Sequence, residues 1–139
     1  MKTLSVLVLC LALLSVVACA DKTNEAANAT SAIFDKASAE VGKATAALKG
    51  AKDAKAVAAA IDIATAAIGN MMKDAGTVNE KYKNARGSEE KALELIKPAQ
   101  ERFGKAQQEF MSAMGAIDTA IMQDEVVLDA IKKMQAIKD

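Results

Sequence analysis

The apolar residues of this chain recur every seven positions, in alternating steps of three and four. Such spacing places them on one face of an α-helix, in the pattern typical of helices packed side by side. Alanine, the strongest helix former, is abundant throughout. The first stripe contains Ala27, Phe34, Ala37, Val41, Ala44 and Leu48. We expect this helix to end at Gly50 in a left-handed cap and Asp53 to cap the next helix.

A second stripe predicts one long helix that closes with the only tyrosine of the chain. It contains Val57, Ile61, Ala64, Ile68, Met71, Ala75, Val78, Tyr82 and Ala85. We expect Tyr82 to close the core with its hydroxyl in water. The helix is expected to end around residues 84–87, and Ser88, followed by two glutamates, is typical of a helix start.

A third stripe alternates large residues with alanines, which lets a neighbouring helix approach closely. The large residues are Ile96, Phe103, Phe110 and Ile117, and the alanines are Ala92, Ala99, Ala106, Ala113 and Ala120. Pro98 lies inside the stripe without disturbing its register. It indicates either a kink or the first turn of a new helix.

The stripe has a fault at Asp124, an acid in a position that should be apolar. Residues 88–137 therefore form one helix or two. A bend between Gly115 and Asp124 would fold the last segment back and leave Asp124 as a turn or cap residue. Dimerisation of an unbroken helix is the alternative. Together the stripes predict an all-α fold over residues 30–139, an antiparallel helical bundle of three to four long heptad-patterned helices.

The first twenty residues differ from the rest of the chain. A lysine at position 2 precedes an apolar run over residues 4–17, and the small residues Ala18, Cys19 and Ala20 follow. This order is typical of a secretory signal peptide. The apolar run is shorter than the roughly 20 residues of a transmembrane helix. We therefore expect residues 1–18 to be removed on export.

The sequence Val16-Val17-Ala18-Cys19 resembles the lipobox of bacterial lipoproteins, with valine where leucine is commonest. The resemblance implies that Cys19 becomes the mature N-terminus and carries acyl chains that hold the protein on a membrane. Ala20 after this cysteine implies the outer membrane, as in proteobacterial lipoproteins. Cleavage after Ala20 as an ordinary secreted protein is the alternative. The polar residues that follow predict a flexible, lipid-anchored tether over 19–29.

The cysteines favour lipidation. The chain has two cysteines, and Cys10 lies in the apolar run that leaves with the signal peptide. The mature chain would carry Cys19 as its single thiol, and lipidation explains an odd cysteine in an exported protein. We expect no disulfide, so helix packing alone would stabilise the bundle.

The composition argues against catalytic chemistry. The chain has no histidine, which excludes Ser-His-Asp triads, imidazole proton transfer and Glu-x-x-His di-iron sites. Its net charge is zero, which argues against a nucleic-acid partner. The methionines are expected to fill the core rather than bind Cu(I), and the glutamates lie off the apolar stripes. We expect no catalytic residues, no metal and no cofactor.

These features predict a non-enzymatic, lipid-anchored protein of the cell envelope that acts as a scaffold or adhesion module. Its expected partners are the membrane, through Cys19, and another protein or a second copy of itself. The alternative is a carrier whose amphipathic helices open to hold a lipid or another apolar ligand.

Overall fold

The structure, a computed structural model, describes residues 20–83 and 89–137, and these residues form helices joined by turns. The helices are α1 (Ala20–Gly50), α2 (Ala54–Tyr82), α3 (Glu89–Gly115), the short α4 (Thr119–Met122) and α5 (Glu125–Ala136). The predicted all-α fold is therefore confirmed. Ser88, the predicted helix start, lies outside the described residues, and α3 begins at the residue after it.

Successive long helices run antiparallel, so α1 and α3 run parallel to each other. Tyr82, at the end of α2, reaches Glu25 near the start of α1. In contrast, Ser31 of α1 meets Leu95 of α3 and, further along both helices, Asp35 meets Arg102. The closest backbone approaches follow the order α3, α1, α2, α5, which makes α1 the helix that holds the two others together.

The core consists mainly of the predicted stripes. Every member of the first stripe is buried, and so are most members of the second and third, Phe103 and Phe110 among them. Ile68, Val78, Ala106 and Ile117 are half-buried at the edges, while Ala120 is exposed. Buried alanines alternate with large side chains, as expected for helices that pack at short interaxial distances.

The turn between α1 and α2 confirms one predicted cap and corrects another. The Asp53 carboxylate accepts a hydrogen bond from the Ala56 backbone N–H at 2.9 Å, as an N-cap residue should. Gly50, however, has no positive φ and was wrongly predicted as a left-handed cap. The Ala51 N–H instead donates to the Leu48 carbonyl, a tight turn that leaves the chain free to extend at Asp53.

The N-terminal segment also differs from its prediction as a flexible tether. Of residues 19–29, Cys19 lies outside the described residues and the others belong to α1. Thr23 and Ala27 are buried, and Glu25 faces the end of α2. The polar residues of this segment occupy the outer face of a helix whose inner face is packed, so polarity alone did not indicate flexibility.

The helix α3 runs without interruption through Pro98. The alternative that Pro98 begins a new helix is therefore wrong. Pro98 is exposed, so the Glu94 carbonyl, which loses its partner N–H, lies on the hydrated side of the helix.

The predicted bend at the register fault is confirmed. The chain turns after Gly115, and Asp124 is exposed and caps α5, its carboxylate accepting a hydrogen bond from the Val126 N–H at 3.0 Å. The last segment folds back along α2, where Val127 and Ala130 are buried. Leu128, next to Val127, points outward and is 42% exposed.

Candidate functional site

The predicted lipidation site, Cys19, lies outside the described residues, but the structure defines the end of the bundle to which it is attached. The helix α1 begins at Ala20, the next residue, and its first turns pack against the end of α2. We call this end of the bundle the proximal end. Any group attached to Cys19 would therefore be joined directly to a packed helix.

The opposite, distal end lies a full helix length away. The helix α1 has 31 residues, which corresponds to about 45 Å at 1.5 Å per residue. The α1–α2 turn and the segment that joins α3 to α5 both lie at this end. The end of α2 and the start of α3, in contrast, lie at the proximal end.

The distal end contains a groove open to solvent, with a volume of about 540 Å³. It lies between the end of α1, the last two turns of α3 and the short α4. Its walls are mainly apolar, with charged groups from three side chains. The lining residues are Leu48, Lys49, Ala51, Glu109, Ser112, Ala113, Ala116, Ile117, Asp118 and Ile121.

An ion pair joins the surfaces of α1 and α3. Arg102 donates from Nε to Asp35 Oδ1 at 2.8 Å and from Nη2 to Asp35 Oδ2 at 3.1 Å. The hydrogen bonds to Asp35, supported by the attraction between the two charges, raise the pKa of Arg102 and outweigh the opposite effect of desolvation. Because the guanidinium stays charged and holds the carboxylate through two hydrogen bonds, we read the pair as a contact between helices rather than as a reactive group.

The remaining polar contacts between helices also join surfaces rather than build a reactive centre. Lys36 of α1 donates to Asp74 of α2 at 3.2 Å, and the Ser31 hydroxyl donates to the Leu95 carbonyl at 3.2 Å. Sequence reasoning missed these pairs, because partners 38 or 64 positions apart leave no local signal. The groove was missed for the same reason.

The described carboxylates do not converge. Within residues 20–83 and 89–137, no three carboxylate or cysteine side chains come together in a way that could hold a metal ion. Glu80, Glu94, Glu101 and Glu109 are exposed, and Glu40 is half-buried beside Lys43. Of the methionines, Met71 and Met114 are buried in the core, whereas Met111 is 54% exposed.

One described helix, α2, is long and apolar enough to cross a membrane by length and composition alone. Its position in the bundle explains this composition. The helix packs against α1 on one side and against α5 on the other, so two of its faces need apolar residues. Ala58, Ala60 and Ala67, which belong to no predicted stripe, are buried there.

Comparisons of the chain with protein-family models, with curated proteins and with solved structures find no significant match. The functional argument therefore depends on the residues and the geometry described above.

Proposed function

We propose that this chain is a non-enzymatic lipoprotein of the cell envelope. Acyl chains on Cys19 hold it on a membrane, and the bundle acts as a scaffold or adhesion module. The observation that carries the proposal is the lipobox-like sequence that ends at Cys19, one residue before the first helix of the bundle. Ala20 favours the outer membrane.

An anchor at Cys19 would set the distance between the membrane and the distal groove. Because α1 leads from the anchor to the distal end, the groove would be held about 45 Å from the anchored residue. Helix packing would transmit this spacing without a flexible linker, so a partner would meet the groove at a fixed distance. This arrangement suits a protein that joins a membrane to a second structure.

The test is the substitution Cys19→Ala in the full chain, followed by cell fractionation. We expect the variant to leave the membrane fraction, because residue 19 can then carry no acyl chains and the apolar helix α2 is packed inside the bundle. Cys10→Ala is the matched control, since it removes a thiol from the signal peptide and should leave fractionation unchanged. Mass spectrometry should find Cys19 acylated at the mature N-terminus, and an unmodified N-terminus at Asp21 would refute the proposal.

A carrier of a lipid or another apolar ligand is the second candidate function. The distal groove favours it, because Leu48, Ile117 and Ile121 give the groove an apolar wall. Native mass spectrometry of the Cys19→Ala protein tests the idea. A carrier should retain a cellular lipid, and the substitution Ile117→Asp should release it. A native mass equal to that of the protein alone would favour the scaffold.

A further inference from the structure

The segment between α3 and α5 contains several hydrogen bonds of the kind found in helices. The N–H groups of Ala116 and Ile117 donate to carbonyls three residues back. This is the hydrogen-bond pattern of a 3₁₀ turn, which is common at the ends of α-helices. Further along, the N–H groups of Met122 and Gln123 donate to carbonyls four residues back, as in an α-helix. No glycine or proline occurs between residues 116 and 124 to stop a helix.

Two aspartates interrupt this helix, each through one backbone angle. Asp118 has φ −55° and ψ 136°, and Asp124 has φ −64° and ψ 138°. Both φ values are helical, and only ψ departs from the value of about −42° of an α-helix. Each side chain stabilises the interruption as a cap, accepting from Ala120 N–H at 2.8 Å and from Val126 N–H at 3.0 Å. Rotation about the ψ bonds of Asp118 and Asp124 would therefore remove both capped breaks.

The helix α5 packs against only one of the long helices, α2. Among the described residues, its backbone comes close to α2 and to the short α4, and not to α1 or α3. Val127 and Ala130 are buried in this interface, and a β-carbon on Gly69 of α2 would lie 3.9 Å from Ile137 Cδ1. If the segment straightens, the α5-binding face of α2 and the apolar face of α5 become exposed together. Each of them then fits the matching face of another copy.

We propose that Asp118 and Asp124 are the hinges of a helix exchange, in which α5 of one chain packs on α2 of a second copy. The exchange keeps every α2–α5 contact and changes only which chain supplies it, as in domain swapping. The partner of this surface is therefore a second copy of the chain. The inference concerns the bundle alone and does not depend on anchoring through Cys19.

The experiment detects the exchange by cross-linking between two chains. Full-length Gly69→Cys and Ile137→Cys chains, with tags of different size, are produced together and treated with a short bis-maleimide. A product that contains both tags joins α2 of one chain to α5 of the other. We expect a small amount with the natural hinge and at least a fivefold increase when both chains carry Asp118→Ala and Asp124→Ala, because the caps that hold the turn are lost.

The matched control replaces Gly69→Cys by Ile63→Cys, on the exposed outer side of the same helix. It should give no increase with the hinge variant. Chains without an introduced cysteine are the blank. A cross-linked product in the blank would show that Cys19 carries a free thiol and no acyl chain. A failure of lipid anchoring is therefore detected separately from a failure of exchange. Deletion of residues 119–122 provides a second hinge variant, in case the double substitution does not fold. Equal products from Gly69→Cys and Ile63→Cys, or no increase with either hinge variant, would overturn the proposal.

Discussion

The rings of Phe34 in α1 and Phe103 in α3 lie with their centroids 5.7 Å apart and their planes inclined by 52°. Both side chains are buried, and the tilted arrangement at this distance is favourable for aromatic pairs. The contact joins two parallel helices that are not consecutive in the chain. It therefore connects the first and third helices through their largest side chains.

We predict that Phe103→Ala lowers the free energy of unfolding by about 3–5 kcal/mol, because the ring leaves a cavity that the surrounding helices fill only in part. Urea denaturation followed by circular dichroism measures the change. Met111→Ala on the same helix is the control, and its loss should stay within about 0.5 kcal/mol, since the side chain is exposed. A loss below about 1 kcal/mol at Phe103 would contradict the buried position of the third stripe.

The stripes were predictable because large apolar side chains repeat at the period of the helix. Phe34, Ile61 and Phe103 stand out against polar neighbours, and each is buried as expected. The second face of α2 gave no such signal. Ala58 and Ala67 are buried against neighbouring helices, but alanine occurs on every face of these helices and so marks none of them.

We predict that Asp53→Ala lowers the free energy of unfolding by about 1 kcal/mol, because the first turn of α2 loses the acceptor for the Ala56 N–H. Asp53→Asn should lose much less, since asparagine caps helices about as well as aspartate. Thermal melts of the three proteins provide the comparison. Equal losses for alanine and asparagine would indicate that the charge of Asp53, rather than its hydrogen bond, stabilises the turn.

We predict that Asp35→Ala lowers the melting temperature slightly at low ionic strength and less in high salt. Both members of its pair with Arg102 are about half exposed, so salt screens their attraction. The decrease should be several times smaller than that of Phe103→Ala. Lys36→Ala, which removes an exposed pair between α1 and α2, is the matched control for loss of a surface charge. An effect that does not change with salt would assign the stabilisation to packing.

The sign of the pH dependence of this pair follows from the raised pKa of Arg102. A cation whose pKa is higher in the folded state stabilises that state below its ordinary pKa and loses the effect only as the pH rises through the folded value. Arginine therefore stays charged throughout the neutral range. Melting temperatures of the natural chain and of Arg102→Gln should differ by the same amount at about pH 7 and at about pH 9. A difference that shrinks over this interval would contradict the assignment.

The last prediction concerns the N-terminal segment, whose polar sequence indicated a tether and whose structure is a packed helix. Ala27 is buried there, whereas its neighbour Asn28 is exposed. Ala27→Asp places a charge against the core and should release the start of α1, which lowers the free energy of unfolding by roughly 2–3 kcal/mol. Asn28→Asp should have little effect. A flexible tether would tolerate both substitutions equally.

Tyr82 reports on this release, because it is the only tyrosine in a chain without tryptophan. Its side chain is buried at the end of α2, with its hydroxyl 3.5 Å from Glu25 Oε2 of the same N-terminal segment. When α1 detaches there, the ring becomes accessible to solvent. Quenching of tyrosine fluorescence by acrylamide should therefore increase in Ala27→Asp and stay at the natural level in Asn28→Asp. Unchanged quenching in both variants would show that the segment does not cover Tyr82 and that the tether prediction was right.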